Sequence, residues 1–265
     1  MKIFKNFIGI SKVKVYLIIL NRFYQILFIG IALFVISCYS NYNYNNVDYS
    51  RIDIIGPENS SINNIIDIYS DSIDSKLDNV IGFSKGLYTK DDYSNTKFNS
   101  SLGNLIADII FKQADSVFYK SFGNNIDFVL QNHGGIRSSL LDGEIKLSDA
   151  YKILPFENEI VVLEISKEIF DEMVLFLSNE KFPHPISGFS IINDKAIIDK
   201  ERSSKDKFFL ATNDYLLSGG DNMFFLEKNS NVYYLGYPLR NAFIDYIINE
   251  EKIESKVDNR FIINE

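Results

Sequence analysis

A single cysteine and two histidines in 265 residues remove several chemistries at the outset. Cys38 has no second cysteine to pair with, so no intramolecular disulfide staples the fold. With only His133 and His184, and with no H-E-x-x-H or paired D-x-H pattern, a protein-built zinc or two-metal centre has almost nothing to bind with. No G-x-S-x-G elbow occurs, and His133, beside two glycines, lacks an identifiable serine or cysteine partner for nucleophilic catalysis. Both histidines are read as loop or surface residues. Positive charge is scarce as well. Of 27 basic residues, Lys2, Lys5, Lys12, Lys14 and Arg22 precede residue 38, leaving 22 against 35 acidic ones, a net charge of −13. Such an acidic body disfavours sequence-independent binding to nucleic acid, which needs a basic face to neutralise phosphates. An anionic small ligand must instead meet a local concentration of Arg, Lys or backbone N–H groups.

What is present is ordinary globular composition, 46% hydrophobic and 23% charged, enough to bury one sizeable core. The first 37 residues are set apart. Five cations lead into an apolar run from Ile26 to Ile36, ending at Ser37-Cys38, in the order of a secretory signal peptide. The run of about 11 residues falls short of the ~20 that span a bilayer as a helix. Val35-Ile36-Ser37-Cys38 looks like a bacterial lipobox, which makes residues 1–37 a lipoprotein signal peptide and Cys38 the lipid attachment site. The competing reading is a structural cysteine in an uncleaved signal anchor. Residues 38–59, polar and rich in Asn and Tyr, read as a tether, and residues 60–265 as the domain.

Within the domain, Ile62, Ile65, Ile66, Tyr69, Ile73 and Leu77 recur at helical spacing, as do Leu102, Leu105, Ile106, Ile109, Ile110 and Val117 behind a Ser100 or Ser101 cap. Strands are predicted between residues 79 and 88 and over 126–130, 159–165, 189–192, 196–198, 208–212 and 260–263. Further helices are predicted from Ser148 to Leu154, after Ser166, and from Pro238 to Ile248. Helices and strands interleave without a strict βαβ rhythm, so the fold class is α/β in the mixed α+β sense.

Three segments carry chemical potential. Asn132-His133-Gly134-Gly135-Ile136-Arg137 follows a strand with an amide, a glycine turn and a guanidinium, donors suited to one anion. Thr212 through Asp221 is a second Gly-Gly turn after a strand, where Asp or Asn side chains can accept from sugar hydroxyls and neighbouring aromatics can stack on a base. Leu154-Pro155-Phe156 places an aromatic directly after a helix. Each also has a plain reading, as an ordinary turn or a core aromatic.

Taken in order with Leu102-Gly103-Asn104-Leu105-Ile106-Ala107-Asp108 and the G-x-I-x-x-x-D-x-Y-x-I-L-P-F stretch from Gly143 to Phe156, these segments resemble the 5'-nucleotidase C-terminal, substrate-binding domain over about residues 60–263. The resemblance implies a mixed sheet packed with helices that holds the nucleoside part of a nucleotide. It places Asn132 and Arg137 against the substrate and Phe156 on one face of the base. Gly134, Gly135, Gly219 and Gly220 would shape the loops beside Asp221. Thr96, with Lys97 beside it, stands where the family often has arginine. Met223 stands at the expected second aromatic, which makes Phe224 its replacement in the base clamp.

The family's metallophosphatase domain has no counterpart in this sequence. The implied role is the nucleotide-recognising half of a split, exported nucleotidase in nucleotide catabolism, inactive alone. Divalent metals would sit on a separately encoded metallophosphatase partner and no cofactor on this chain, which would be lipid-anchored at the periplasmic or surface side of a bacterial membrane. The alternatives are a non-catalytic nucleoside- or nucleotide-binding lipoprotein, and a scaffold that has lost its ligand.

Overall fold

The structure, a computed structural model, describes residues 16–31 and 59–263. The chain divides between Glu58 and Asn59 into two units. In the first, residues 16–31 form helix α1. Among the described residues no helix is long and apolar enough to cross a membrane. Cys38 and residues 38–58 of the expected tether lie outside the described residues, as do residues 1–15 and 32–37 of the expected signal peptide.

The second unit begins with α2 (Ser60–Leu77), capped by the Asn59 side chain, which accepts from the Ser61 and Ile62 backbone N–H groups. Its apolar positions Ile62, Ile65, Ile66, Tyr69 and Ile73 are exposed. Strand β1 (Val80–Ser84) leads to α3 (Ser101–Phe122), where Ser100 accepts from Gly103 N–H at 3.1 Å and Gly123, at φ +74°, ends the helix in the left-handed region. Then follow β2 (Phe128–Leu130), a 3-10 turn at His133–Gly135, β3 (Gly143–Lys146), α4 (Leu147–Ile153), β4 (Glu159–Ser166) and α5 (Lys167–Ser178). Strands β5 (Ile186–Ser187), β6 (Ser190–Ile192) and β7 (Lys195–Ile197) precede the single-turn α6 (Lys200–Ser203) and the long β8 (Lys207–Asn213). The chain closes through α7 (Asp214–Leu217), two 3-10 turns, β9 (Asn231–Pro238), α8 (Leu239–Glu250), β10 (Lys252–Ile253) and β11 (Phe261–Ile262).

The central sheet has the order β5-β2-β8-β4-β9, and two three-stranded sheets, β10-β1-β3 and β11-β6-β7, flank it. Alternation along its strands feeds two cores. Val129, Ile160, Val162 and Ala211 face α3 and α8, meeting Leu102, Ile106, Ile110, Phe243 and Ile247. Phe128, Leu130, Val161, Leu163, Ile165 and Leu210 face the other way, onto Phe170, Met173 and Leu177 of α5. With both faces buried, β4 carries a continuous buried run from Ile160 to Leu163 instead of the alternation expected of a half-exposed strand. The mixed α/β class follows directly from this layering.

Candidate functional site

Strand pairing brings the three chemically loaded segments together. β2 and β8 are parallel, with Phe128 opposite Leu210 and Val129 opposite Ala211, so the chain leaves both at the same edge of the sheet. The turn Gln131 to Arg137 and the segment Asp214 to Asp221 therefore emerge side by side. β4 runs antiparallel to β8, with Ile160 opposite Asn213, so the residues entering β4, Phe156 to Asn158, arrive at that edge too. Crevices at the carboxyl ends of parallel strands are where open α/β sheets hold ligands.

Asn213 ties two of the segments to each other. Its buried amide Nδ2 donates to Gln131 Oε1 at 2.8 Å and Asn132 Oδ1 at 3.2 Å, while its Oδ1 accepts from Leu216 N–H and caps α7. Asp214 Oδ1 accepts from both Tyr215 N–H and Glu159 N–H, binding the second loop to the start of β4. The Arg137 backbone N–H donates to Ile153 O at 2.9 Å, which fixes the end of α4 against the first loop.

These segments enclose a cleft of about 260 Å³ lined by Asn132, Gly134, Arg137, Phe156, Asn158, Tyr215 and Asp221. The Arg137 guanidinium stands 5.5 Å over the half-exposed Phe156 ring, a cation–π contact, and its Nη1 donates to Gly134 O at 3.3 Å, which ties it to the glycine turn and leaves the other N–H groups for a ligand. The Tyr215 hydroxyl donates to Asp221 Oδ1 at 2.8 Å and accepts from Asp221 N–H at 3.2 Å. That bond to the carboxylate raises the Tyr215 pKa, with burial adding to it. Gly220 is required here, because a Cβ would lie 2.5 Å from both the Tyr215 ring and its carbonyl oxygen. Gly135 packs on the Asn132 amide in the same manner, its Cβ position 2.9 Å from Oδ1. Asp221 and Asn222 hold positive φ values of 50° and 62°, local strain concentrated at the cleft wall.

Five residues expected from the sequence therefore line one cleft: Asn132, Gly134, Arg137, Phe156 and Asp221. Phe224 does not. It is 58% exposed and lies over Gly219, while Met223 and Phe225 on either side turn into the core. Tyr215 is the second aromatic of the cleft, and Asn158 is an amide that sequence reasoning passed over. Both sit inside or directly beside the quoted motifs, and only the backbone path shows which side chains converge.

Both histidines lie in connecting segments, as expected, His133 in the turn after β2 and His184 just before β5, but neither is at the surface. His133 and His184 are 7% and 6% exposed. Phe182 stacks on the His133 ring at 5.2 Å, and His184 Nδ1 accepts from the His133 backbone N–H at 3.4 Å, closing the glycine turn from below. Burial lowers both pKa values, that of His184 to about 4, with the nearby Asp221 carboxylate only partly offsetting it. A second cavity of about 490 Å³, lined in part by Lys90, Asp91, His133, Glu180, Phe182 and His184, adjoins the cleft at Gly134 and Asp221. Among the described residues no group of three or more His, Cys, Asp or Glu side chains is placed to hold a metal ion.

Residues 80–185 match the family model described as the 5'-nucleotidase C-terminal domain. A probable 5'-nucleotidase of Treponema pallidum is 42% identical over 62 residues, 22% of this chain and 10% of that protein. A cell wall protein of Listeria monocytogenes is 29% identical over 214 residues, 69% of this chain and 26% of its own length. Among solved structures, a 5'-nucleotidase precursor from Thermus thermophilus superposes with a TM-score of 0.62 at 22% identity, over 79% of this chain and 44% of that one. The NAD nucleotidase of Haemophilus influenzae gives 0.57 at 16% identity, over 78% and 41%. The chain thus spans about a quarter or less of these two curated relatives and under half of the solved ones, and the structural likeness is one of fold.

Proposed function

We propose that this chain, in which residues 80–185 match the 5'-nucleotidase C-terminal domain, is the nucleotide-recognising half of a phosphohydrolase whose metal ions are held by a separate metallophosphatase. The observation that carries the reading is the convergence of Asn132, Arg137, Phe156, Asn158, Tyr215 and Asp221 on one cleft. The chemistry of the lining suits a nucleoside. Phe156 and Tyr215 offer ring faces for a base, the Asn132 and Asn158 amides can read polar edges, and the Asp221 carboxylate accepts from sugar hydroxyls. Arg137, over Phe156 and bonded through Nη1 to Gly134 O, has further N–H donors to turn toward a phosphate.

A volume of about 260 Å³ lies just below the ~300–1,000 Å³ common for small-molecule sites, which suits a nucleoside with its phosphate outside. The described residues do not fit a metal pair, so no hydrolytic step is assigned to them. In this reading Cys38 carries the lipid that holds the chain at the periplasmic or cell-surface side of a membrane, where it acts in nucleotide catabolism with its partner. A second reading is a binding lipoprotein that catalyses nothing, which the same cleft lining of amides, aromatic rings and one guanidinium supports as a ligand site. Phosphate release from AMP in the presence of Mg²⁺ or Mn²⁺ distinguishes them. The purified full-length chain is expected to release none, and adding a metallophosphatase domain in trans to start turnover. Metal-dependent hydrolysis by the chain alone overturns the split arrangement, whereas binding without turnover under both conditions favours the second reading.

A further inference from the structure

Arg240, in the first turn of α8, lies outside the cleft and every motif described above, yet it is 4% exposed and charged. Burying a guanidinium is costly unless its donors are used, and the partners of this one are informative. Nη1 donates to Leu154 O at 3.0 Å and reaches Phe156 O at 3.5 Å, and Nη2 pairs with the Glu157 carboxylate. The guanidinium carbon lies over the Tyr151 ring, 4.1 Å from its centroid. The preceding residue adds a fourth tie, the Leu239 N–H donating to Asn158 O at 2.9 Å. The N-terminus of α8 thus grips the backbone of residues 154–158, the segment that presents Phe156 and Asn158 to the cleft. Its hold is on two carbonyl oxygens and the Glu157 carboxylate, so it sets where the chain runs without touching the ligand space.

We propose that Arg240 is a positioning residue for the Phe156 face of the cleft, acting through the backbone of residues 154–157. The assignment of a nucleoside to that face rests on the function proposed above. Planarity matters to the role. The fork of a guanidinium can reach two carbonyls and a carboxylate while lying on Tyr151, and an ammonium reaches fewer of them and does not stack as a plane.

The test uses the full-length chain carrying Arg240→Lys, Phe156→Ala and both together, with adenosine titrated by calorimetry and backbone amide exchange followed over residues 154–158. Arg240→Lys is expected to weaken adenosine about tenfold or more in the wild-type background and less than about twofold when Phe156 is already alanine, because residues acting through one another are not additive. Amide exchange at Phe156 and Glu157 is expected to quicken while exchange in β4 and β8 stays unchanged. Equal losses in both backgrounds, or unchanged exchange at residues 154–158, overturn the positioning role. Failure of the wild-type chain to bind adenosine overturns the nucleoside reading instead, and the exchange measurement still decides whether Arg240 holds the segment.

Discussion

Replacing His184 with glutamine should flatten the dependence of stability on acid. His184 is 6% exposed, and its burial holds the imidazole pKa near 4 instead of 6.5. An unfolded chain takes up the proton near pH 6.5 whereas the native one refuses it until about pH 4, so the unfolded state binds more protons across that interval. Stability from this group is complete above pH 6.5 and is lost as the pH falls toward 4. At ~1.4 kcal/mol per pKa unit the loss over the window amounts to about 3 kcal/mol. Glutamine has no charge to gain there, yet keeps an acceptor for the His133 N–H. Urea unfolding at pH 7.0 and 4.5, followed by far-ultraviolet circular dichroism, measures the effect. Wild type should lose about 2 to 3 kcal/mol more than His184→Gln between the two conditions. Equal losses in the two proteins would refute a neutral, buried His184.

Three further outcomes follow from the packing. Gly220→Ala should weaken nucleoside binding about tenfold or more and also lower the melting temperature, since the new Cβ meets the Tyr215 backbone carbonyl as well as the ring and forces Tyr215 off its place beside Asp221; calorimetry and thermal melting read the two effects. Phe128→Ala should cost about 3 to 5 kcal/mol in urea unfolding, because Phe128 is fully buried and stacks on Phe170 at 4.6 Å between the sheet and α5. Tyr215→Ala should lower affinity for adenosine about tenfold, on the order of one lost stacking contact, while Phe224→Ala leaves it within about twofold. The reverse ranking would return the second aromatic to Phe224.

The segments that sequence periodicity delineates best are those with the strongest burial. The stripe along α3, the apolar run of β4 and the Ser166 cap of α5, whose side chain accepts from Ile169 N–H, stand in the structure close to where spacing predicts them. Four strands have no predicted counterpart. β3, β5 and β10 have four, two and two residues, too few to establish a period, and β9 carries Gly236 at φ +60° and Pro238 within a half-exposed edge strand. Pro238 itself sits at the N-cap of α8 rather than inside its first turn. The apolar face of α2 is visible in its spacing, but the spacing does not reveal that this face is left exposed.

For the cleft, motif order locates the loops, and strand pairing decides the side chains. Met223, Phe224 and Phe225 are adjacent hydrophobics whose fates diverge because the 3-10 turn rotates each by about a third of a revolution. The burial of His133 depends on Phe182, nearly fifty residues away in sequence, and the role of Arg240 depends on a helix docking against a loop more than eighty residues before it. Such long-range partners leave no local pattern to read.

The central claim is that Asn132, Arg137, Phe156 and Tyr215 form a nucleotide site. Calorimetric titration of the full-length chain with AMP and with adenosine, for wild type and Arg137→Ala, addresses it most directly. The wild-type chain should bind both. Arg137→Ala should lose about tenfold or more toward AMP, as one charge-assisted contact to phosphate implies, and little toward adenosine. No binding of either ligand, or equal losses for both, would contradict the account.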